Sequence, residues 1–268
     1  MTGILKQTLL KMGLYHRAKF GFPGRIYALL FKSNQNRQNL REFHFYHSFL
    51  SDPDLIFDIG ANDGHKTIVF AAMAKQVIAC DPDPFNQDVL KLRFRYKKNV
   101  FVEPLAVADK EGISDLYVHQ PGSALNTLNP VWKAILEKRN IGRWKEHVLF
   151  SGITIAVRTT TLDALIVKYG KPDMIKIDVE GYEKMVLMGL TCPIDHISFE
   201  VLLPEFMDES LECINRLISL NANYRFNYAQ EEKLMLPHFI LPSEFIYILQ
   251  GLNTPHIEVI AKIEKMPG

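Results

Sequence analysis

Acidic residues and glycines stand in this chain where parallel strands would end. Residues 58–64, Asp-Ile-Gly-Ala-Asn-Asp-Gly, follow the short apolar run 55–57 and predict a turn after a buried strand. Gly60 and Gly64 would let backbone approach a ligand without a Cβ in the way. Asp81 ends a second apolar run about twenty residues beyond the glycines, the distance at which an acid reaches ribose hydroxyls in such units. The order of strand, turn, helix, strand and acid predicts a nucleoside-cofactor site.

The charge of the turn favours one cofactor. A dinucleotide site usually shows G-x-G-x-x-G, because the pyrophosphate sits on bare backbone at a helix N-terminus. Here the glycines are spaced G-x-x-x-G, and Asp58 and Asp63 bring carboxylates that would repel a pyrophosphate. S-adenosylmethionine carries an ammonium and a sulfonium, which acids attract, while the helix N-terminus can take its carboxylate. The turn therefore predicts S-adenosylmethionine, with an ordinary turn of a parallel sheet as the alternative.

Ligands of an open parallel sheet lie over the carboxyl ends of its strands, so the residues there are expected to converge on one crevice. Asp81 would accept hydrogen bonds from both ribose hydroxyls, while Asp83 caps the following helix. Asp109 would either accept from the adenine amino group or belong to a turn at 109–112. The predicted cofactor-binding residues are Asp58, Gly60, Ala61, Asn62, Gly64, Asp81, Pro82, Ala106, Val107, Asp109 and Asp178.

Asp178 and Glu180 are the predicted catalytic residues. Methyl transfer from a sulfonium is a displacement at carbon, so alignment matters most, and a general base helps when the acceptor is a hydroxyl. Asp178 could be that base, or could hold the substrate or the methionine amino group. Asp178, Glu180 and Glu200 could instead ligate a divalent metal, but neither D-x-D ligation nor a supporting histidine is evident, so no metal ligand is predicted. Glu180 and Glu183 could also merely favour the first turn of a helix beginning near Gly181.

Five segments in this order and spacing resemble the FkbM family of S-adenosylmethionine-dependent methyltransferases, over roughly residues 53–203. They are the turn at 58–64, the stretch from Asp81 to Pro84, the stretch from Ala106 to Asp109 with Gly112, the helix start from Thr161 to Asp163, and Ile-Lys-Ile-Asp-Val-Glu-Gly-Tyr-Glu at 175–183. Cys80 departs from the family, which more often has a bulky apolar or aromatic residue before the acid. The resemblance implies a class I methyltransferase fold and, most often, O-methylation of a hydroxyl on a sugar or a natural product. A nicotinamide-dependent oxidoreductase, disfavoured by the glycine spacing, and a non-catalytic methyltransferase-like binding protein are the alternatives.

Strands alternating with helices predict an α/β, doubly wound and mostly parallel sheet of Rossmann-like type. The chain has 268 residues, of which 47% are hydrophobic and 23% charged, so it can bury a substantial core. Residues 51–268 are expected to form one methyltransferase domain. An insertion near 120–151 is expected to close over the acceptor, with Trp132 or Trp144 stacking on a sugar ring. Strand 224–227 is expected to pair antiparallel with residues 245–249.

Residues 1–50 form a predicted basic, amphipathic and helical extension. They hold eight Lys or Arg against one acid, Glu42, a net charge of 8 − 1 = +7. Such a segment either contacts an anionic membrane surface peripherally or simply covers the domain. Nucleic acid is not a predicted partner, because no binding motif is present; a sugar-containing or small-molecule acceptor is.

Three cysteines without a C-x-x-C pair predict neither a disulfide framework nor a zinc cluster. The expected compartment is therefore a reducing cytoplasm, with the membrane periphery as a variant of it. No signal peptide and no apolar run of transmembrane length is predicted. The oligomeric state is left open.

Overall fold

A computed structural model of the protein describes residues 33–138 and 148–264. Eight strands form the main sheet: β1 (Leu55–Ile59), β2 (Gln76–Cys80), β3 (Val100–Glu103), β7 (Met174–Ile177), β8 (His196–Leu202), β9 (Tyr224–Gln230), β10 (Lys233–Leu234) and β11 (His256–Ile263). Three more form a small separate sheet: β4 (Ala106–Val107), β5 (Gly112–Val118) and β6 (Ile153–Thr160). The helices are α1 (Ser33–His47), α2 (His65–Met73), α3 (Pro84–Phe94), α4 (Pro130–Lys138), α5 (Leu162–Tyr169), α6 (Glu183–Met188), α7 (Met207–Leu220) and α8 (Pro242–Gln250).

The main sheet has the order β10-β9-β11-β8-β7-β1-β2-β3. The pairs β1–β2, β2–β3, β1–β7 and β7–β8 are parallel, and β11 lies antiparallel between β8 and β9. The predicted Rossmann-like α/β fold with a helix before it is thus confirmed. The strand order reverses between β1 and β7, and such a switch point is where ligands of an open α/β sheet bind.

Two apolar cores cover the two faces of this sheet. Side chains alternate along β1, so Phe57 and Ile59 enter the larger core with α5 to α8, while Ile56 faces the smaller core. That smaller core is closed by Tyr46 of α1 and Phe70 of α2. Burial on both faces is typical of a parallel sheet and explains its nearly continuous apolar strands.

The predicted pairing at the C-terminal end is wrong. Residues 245–249 belong to helix α8, and β9 pairs antiparallel with β10 and β11, for neither of which the sequence predicts a strand. Phe245 and Leu249 lie four residues apart on the buried face of α8, whereas Tyr247 between them is 80% exposed. A strand would have put all three side chains on one face.

The segment around the predicted insertion also differs from expectation. Ala106 and Val107, two of the predicted cofactor-binding residues, form β4, which pairs in parallel with the end of β6. β5 and β6 pair with each other and leave the main sheet, and the segment between them contains α4. Residue Trp144 and residues 1–32 lie outside the described residues, so the predictions made for them stay predictions. No helix within the described ranges is long and apolar enough to cross a membrane.

Candidate active site

The turn after β1 lies at the switch point and is shaped by its glycines. Gly60 and Gly64 have φ of 83° and 80°, in the left-handed region, and Asn62 between them has φ 49°. A Cβ on Gly60 would overlap the carbonyl oxygen of Asp178, and one on Gly64 would overlap the ring of Phe94. From the sequence, these glycines are explained by a ligand that approaches the backbone where a Cβ would stand. The structure gives another reason, because protein atoms fill the space on the Cβ side.

Asp81 ties this turn to the next strand and helix. Its Oδ2 accepts from the backbone amide of Asn62 at 2.7 Å, and its Oδ1 accepts from the amide of Asp83 at 2.9 Å and from Asn86 Nδ2 at 3.2 Å. Burial raises the pKa of the Asp81 carboxyl to about 7, although these hydrogen bonds act in the opposite direction. The side chain is therefore fixed at the end of β2, where a ribose acceptor was predicted.

Asp83 caps α3, as predicted, and also holds the insertion. Its Oδ1 accepts from the amide of Phe85, and its Oδ2 accepts from the amide of Gly122 at 2.8 Å and from Asn126 Nδ2 at 2.7 Å. One buried carboxylate thus brings residues 122–126 against the start of α3. No local motif signals this contact, because the partners are about forty residues apart in the sequence.

A first cleft, of about 550 Å³ when the space at its open mouth is included, lies over the carboxyl ends of β1, β2 and β7. Eight predicted site residues line it: Gly60, Asn62, Asp81, Pro82, Ala106, Val107, Asp178 and Glu180. Sequence reasoning missed other lining residues, among them Leu105, Leu116, Ser123, Asn126 and Tyr182. Leu116 comes from the small sheet and Asn126 from the insertion, so their positions depend on pairings that no local motif specifies.

Four predicted cofactor residues do not line the first cleft. Asp58 is buried against α2, where Thr67 Oγ1 donates to it at 2.5 Å; burial raises the pKa of Asp58 to about 6. Ala61 packs in a small apolar cluster with α3, and Gly64 adjoins that helix. Asp109 does not line the cleft, but its charge affects the lining residue Tyr182. The pKa of Tyr182 is raised mainly by burial and secondly by the charge of Asp109.

The first cleft has the chemical character that S-adenosylmethionine requires. Leu105, Val107 and Leu116 give it an apolar wall that suits an adenine ring. Asp81 offers a carboxylate for hydroxyl groups, and Asp178 offers one for the cationic methionine end. The residues present therefore fit this cofactor.

Three carboxylates gather where β7 and β8 end. Oxygens of Asp178, Glu180 and Glu200 lie within 4.8 Å of one another, a spacing at which they could hold a metal ion. Two unit charges at this separation repel by roughly 3.5 kcal/mol at an effective dielectric constant of about 20. Such a cluster needs a positive charge or protons to balance it.

Lys176 brings a positive charge to this cluster. Its side chain is only 3% exposed, and its Nζ lies 3.2 Å from Asp178 Oδ2. Burial alone would lower the pKa of Lys176, but the carboxylates of Asp178, Glu258 and Glu200 outweigh it and raise that pKa above its ordinary value. The ammonium is thus a fixed cation beneath the cluster.

Glu180 is positioned by the insertion and not by a helix. Trp132 Nε1 donates to Glu180 Oε2 at 3.2 Å, Thr127 Oγ1 donates to its carbonyl at 2.8 Å, and its φ is 53°. The alternative that the two glutamates favour the first turn of a helix fits Glu183 only, because Glu183 begins α6 and accepts hydrogen bonds from two backbone amides. Trp132 is buried in a core cluster with Phe206, so the expectation that it stacks on a sugar is wrong.

A second cleft of about 1500 Å³ adjoins the first. Its charged lining residues are Lys66, Lys176, Asp178, Glu200, Glu231, Glu232, Lys233 and Glu258. Glu231 and Glu232 form the hairpin turn between β9 and β10 with φ of 48° and 57°, a conformation that favours Asn or Gly. Asp178 lines both clefts.

The family model of the methyltransferase FkbM domain matches residues 58–226, which is more than half of the chain. The chain belongs to the FkbM methyltransferase family. The resemblance seen in the sequence is thereby confirmed, and with it the prediction of an enzyme that uses S-adenosylmethionine as methyl donor. No curated protein sequence matches the chain significantly.

Solved structures similar to this FkbM methyltransferase are distant. Precorrin-6y C5,15-methyltransferase from Geobacter metallireducens GS-15 is 9% identical, over 86% of this chain and 87% of that chain, with a TM-score of 0.43. An rRNA methylase from Streptococcus thermophilus is 14% identical, over 83% and 94%, with a TM-score of 0.41. An O-methyltransferase from Bacillus cereus in complex with SAH is 12% identical, over 85% and 81%, with a TM-score of 0.38. The family assignment rests on the domain match, and the fold on the strand order of this chain.

Proposed function

We propose that this FkbM methyltransferase transfers the methyl group to a hydroxyl of a saccharide, glycoconjugate or other hydroxyl-bearing natural product held in the second cleft. The observation that supports this most is the position of Asp178, which lines both clefts and is 40% exposed. A donor in the first cleft and an acceptor in the second would meet beside it. Proximity and alignment of that kind are the main requirement of a displacement at carbon.

In the proposed reaction the acceptor oxygen attacks the methyl carbon, and the carbon–sulfur bond breaks to leave S-adenosylhomocysteine. The hydroxyl proton passes to the carboxylate of Asp178. Lys176 Nζ donates a hydrogen bond to Oδ2 of that carboxylate and so fixes its orientation. Oδ1 is then the atom that accepts the hydroxyl proton. Glu180, held by Trp132, lies within 4.8 Å of Asp178 and lines the first cleft, so it stands on the donor side of the transfer.

The lining of the second cleft supports a polyhydroxylated acceptor. Donors such as Lys66 and acceptors such as Glu200 and Glu258 stand on the same surface, and each sugar hydroxyl can both donate and accept. Met235, which is 45% exposed, adds apolar surface of the kind that faces a sugar ring. Carboxylates outnumber ammonium groups in this lining, which disfavours phosphorylated acceptors.

The test is a turnover assay on matched acceptor panels. Purified protein with S-adenosylmethionine is offered neutral glycosides, their phosphorylated counterparts, phenols and amines, and methylated products are identified by mass spectrometry. We expect methyl ethers from neutral glycosides and, at saturating S-adenosylmethionine, a rate at least about 100-fold lower for Asp178→Asn. Asp208→Asn, an exposed acid on α7, is the matched control and should keep the wild-type rate. Methylation of amines alone would contradict the proposal.

A further inference from the structure

We infer that the ammonium of Lys176 supplies, from within the chain, the positive charge that a divalent cation supplies in other carboxylate clusters. Lys176 is then a positioning residue that holds Asp178 and its neighbours together and makes the junction of the two clefts independent of metal. The inference rests on the proposed function only for what Asp178 does in methyl transfer. Its main test needs no acceptor.

The strand register puts Lys176 at the centre of the acidic groups. On β7 it pairs with Asp58 of β1 on one side and with Ser198 of β8 on the other. Its Nζ contacts Asp178 Oδ2 at 3.2 Å and the carbonyl oxygen of Ile177 at 3.5 Å. The side chain is nearly inaccessible to solvent, so its ammonium is held inside the protein against these groups.

Other elements add carboxylates around the same ammonium. Glu200 of β8 and Glu258 of β11 interact electrostatically with Lys176, and Asp58 does so from β1. Glu258 is itself fixed by Tyr46 of α1, whose hydroxyl donates to Glu258 Oε1 at 3.1 Å. These carboxylates come from three strands and from Asp178, the residue after β7, and one lysine is common to all of them.

A lysine at this place opposes metal binding by the same cluster. A divalent cation held by Asp178, Glu180 and Glu200 would lie close to the Lys176 ammonium, and like charges repel. Without the lysine, the three carboxylates would form a site of the kind that hard cations prefer, with several oxygens at short spacing. Lys176 therefore decides whether the cluster binds a cation.

The test is a titration of the full chain with Mn²⁺ alone. Binding is measured as the loss of the electron paramagnetic resonance signal of free Mn²⁺. The chelator-treated wild type should leave Mn²⁺ free up to about 1 mM, whereas Lys176→Met should bind about one equivalent at least about tenfold more tightly. Adding Glu200→Gln to Lys176→Met should abolish that binding, and Lys176→Arg, which keeps the charge, should behave as the wild type. In turnover, Lys176→Met should become dependent on Mn²⁺, a change that simple loss of structure would not produce.

Two results would overturn the inference. One is stoichiometric micromolar binding of Mn²⁺ by the wild type that Glu200→Gln weakens, and this result needs no variant at Lys176. The other is a folded Lys176→Met, or Lys176→Gln if the methionine variant does not fold, that binds Mn²⁺ no better than the wild type. Absence of turnover on hydroxyl acceptors would refute the proposed function and leave the Mn²⁺ result standing.

Discussion

Replacing Glu183 by glutamine should make the stability of the protein less sensitive to rising pH. Glu183 is 7% exposed at the start of α6, and its Oε1 accepts from the amides of Val179 at 3.0 Å and Gly181 at 3.3 Å. Burial, and next to it the charge of Glu200, raises the pKa of its carboxyl from an ordinary 4.5 to about 8. Glutamine keeps the accepting oxygen but cannot ionise, so the variant isolates the effect of the charge.

The direction follows from proton binding. Between these two pKa values the folded protein holds a proton at Glu183 that the unfolded chain has released, so stability falls as pH rises. The stabilisation is complete below about pH 4.5 and is lost as the pH passes through about 8. At about 1.36 kcal/mol per pH unit, the free energy of unfolding should lose roughly 3 kcal/mol through this group between about pH 5.5 and about pH 8.5.

Urea denaturation at these two pH values measures the effect. Relative to wild type, Glu183→Gln should gain roughly 3 kcal/mol of stability on going from the lower to the higher pH. The matched control is Glu212→Gln on α7, because Glu212 is an exposed glutamate paired with Lys184, and its difference from wild type should change by less than about 0.5 kcal/mol. A Glu183→Gln difference that is equal at both pH values would refute the argument that Glu183 is buried in protonated form.

Two further predictions use paired variants. Gly60→Ala should abolish S-adenosylhomocysteine binding in calorimetric titration, because the added Cβ would overlap the carbonyl of Asp178. Gly152 also has a positive φ but has open space around it, so Gly152→Ala should still bind S-adenosylhomocysteine. Glu42→Ala should cost roughly 2 kcal/mol in urea denaturation, because Glu42 is fully buried and anchors α1 to the start of α2. Glu137→Ala, which breaks a surface pair, should cost less than about 0.5 kcal/mol, and equal losses in the two glutamate variants would contradict the anchoring role.

Local signals were enough to predict the cofactor half of the fold. The apolar run of β1, the turn after it and Asp81 at the end of β2 carry their own periodicity and turn chemistry, and the structure has them in that order. Thr161 caps α5 as expected, because its Oγ1 accepts from the amide of Ala164 at 3.0 Å. These features depend on residues within a few positions of one another.

The second cleft could not be predicted in this way. Its walls combine β8, β11 and the β9–β10 hairpin, which meet through pairings between residues as far apart in the sequence as His196 and Lys262. Period-two alternation could have separated Asp58 from the first cleft, because Phe57 and Ile59 face the opposite core. Lys176 lies between two buried isoleucines, and its partners on other strands cannot be seen in the sequence.

Binding of the cofactor in the first cleft through Asp81 can be measured directly. Calorimetric titration with S-adenosylhomocysteine should give one site in the wild type and a loss of roughly 2–4 kcal/mol of binding free energy in Asp81→Ala, the scale of charged hydrogen bonds lost. Asp88→Ala, an exposed acid on the same helix as the Asp83 cap, should bind as tightly as the wild type. Thermal unfolding of each variant shows that it is folded. Unchanged affinity in folded Asp81→Ala would contradict the assignment of this cleft.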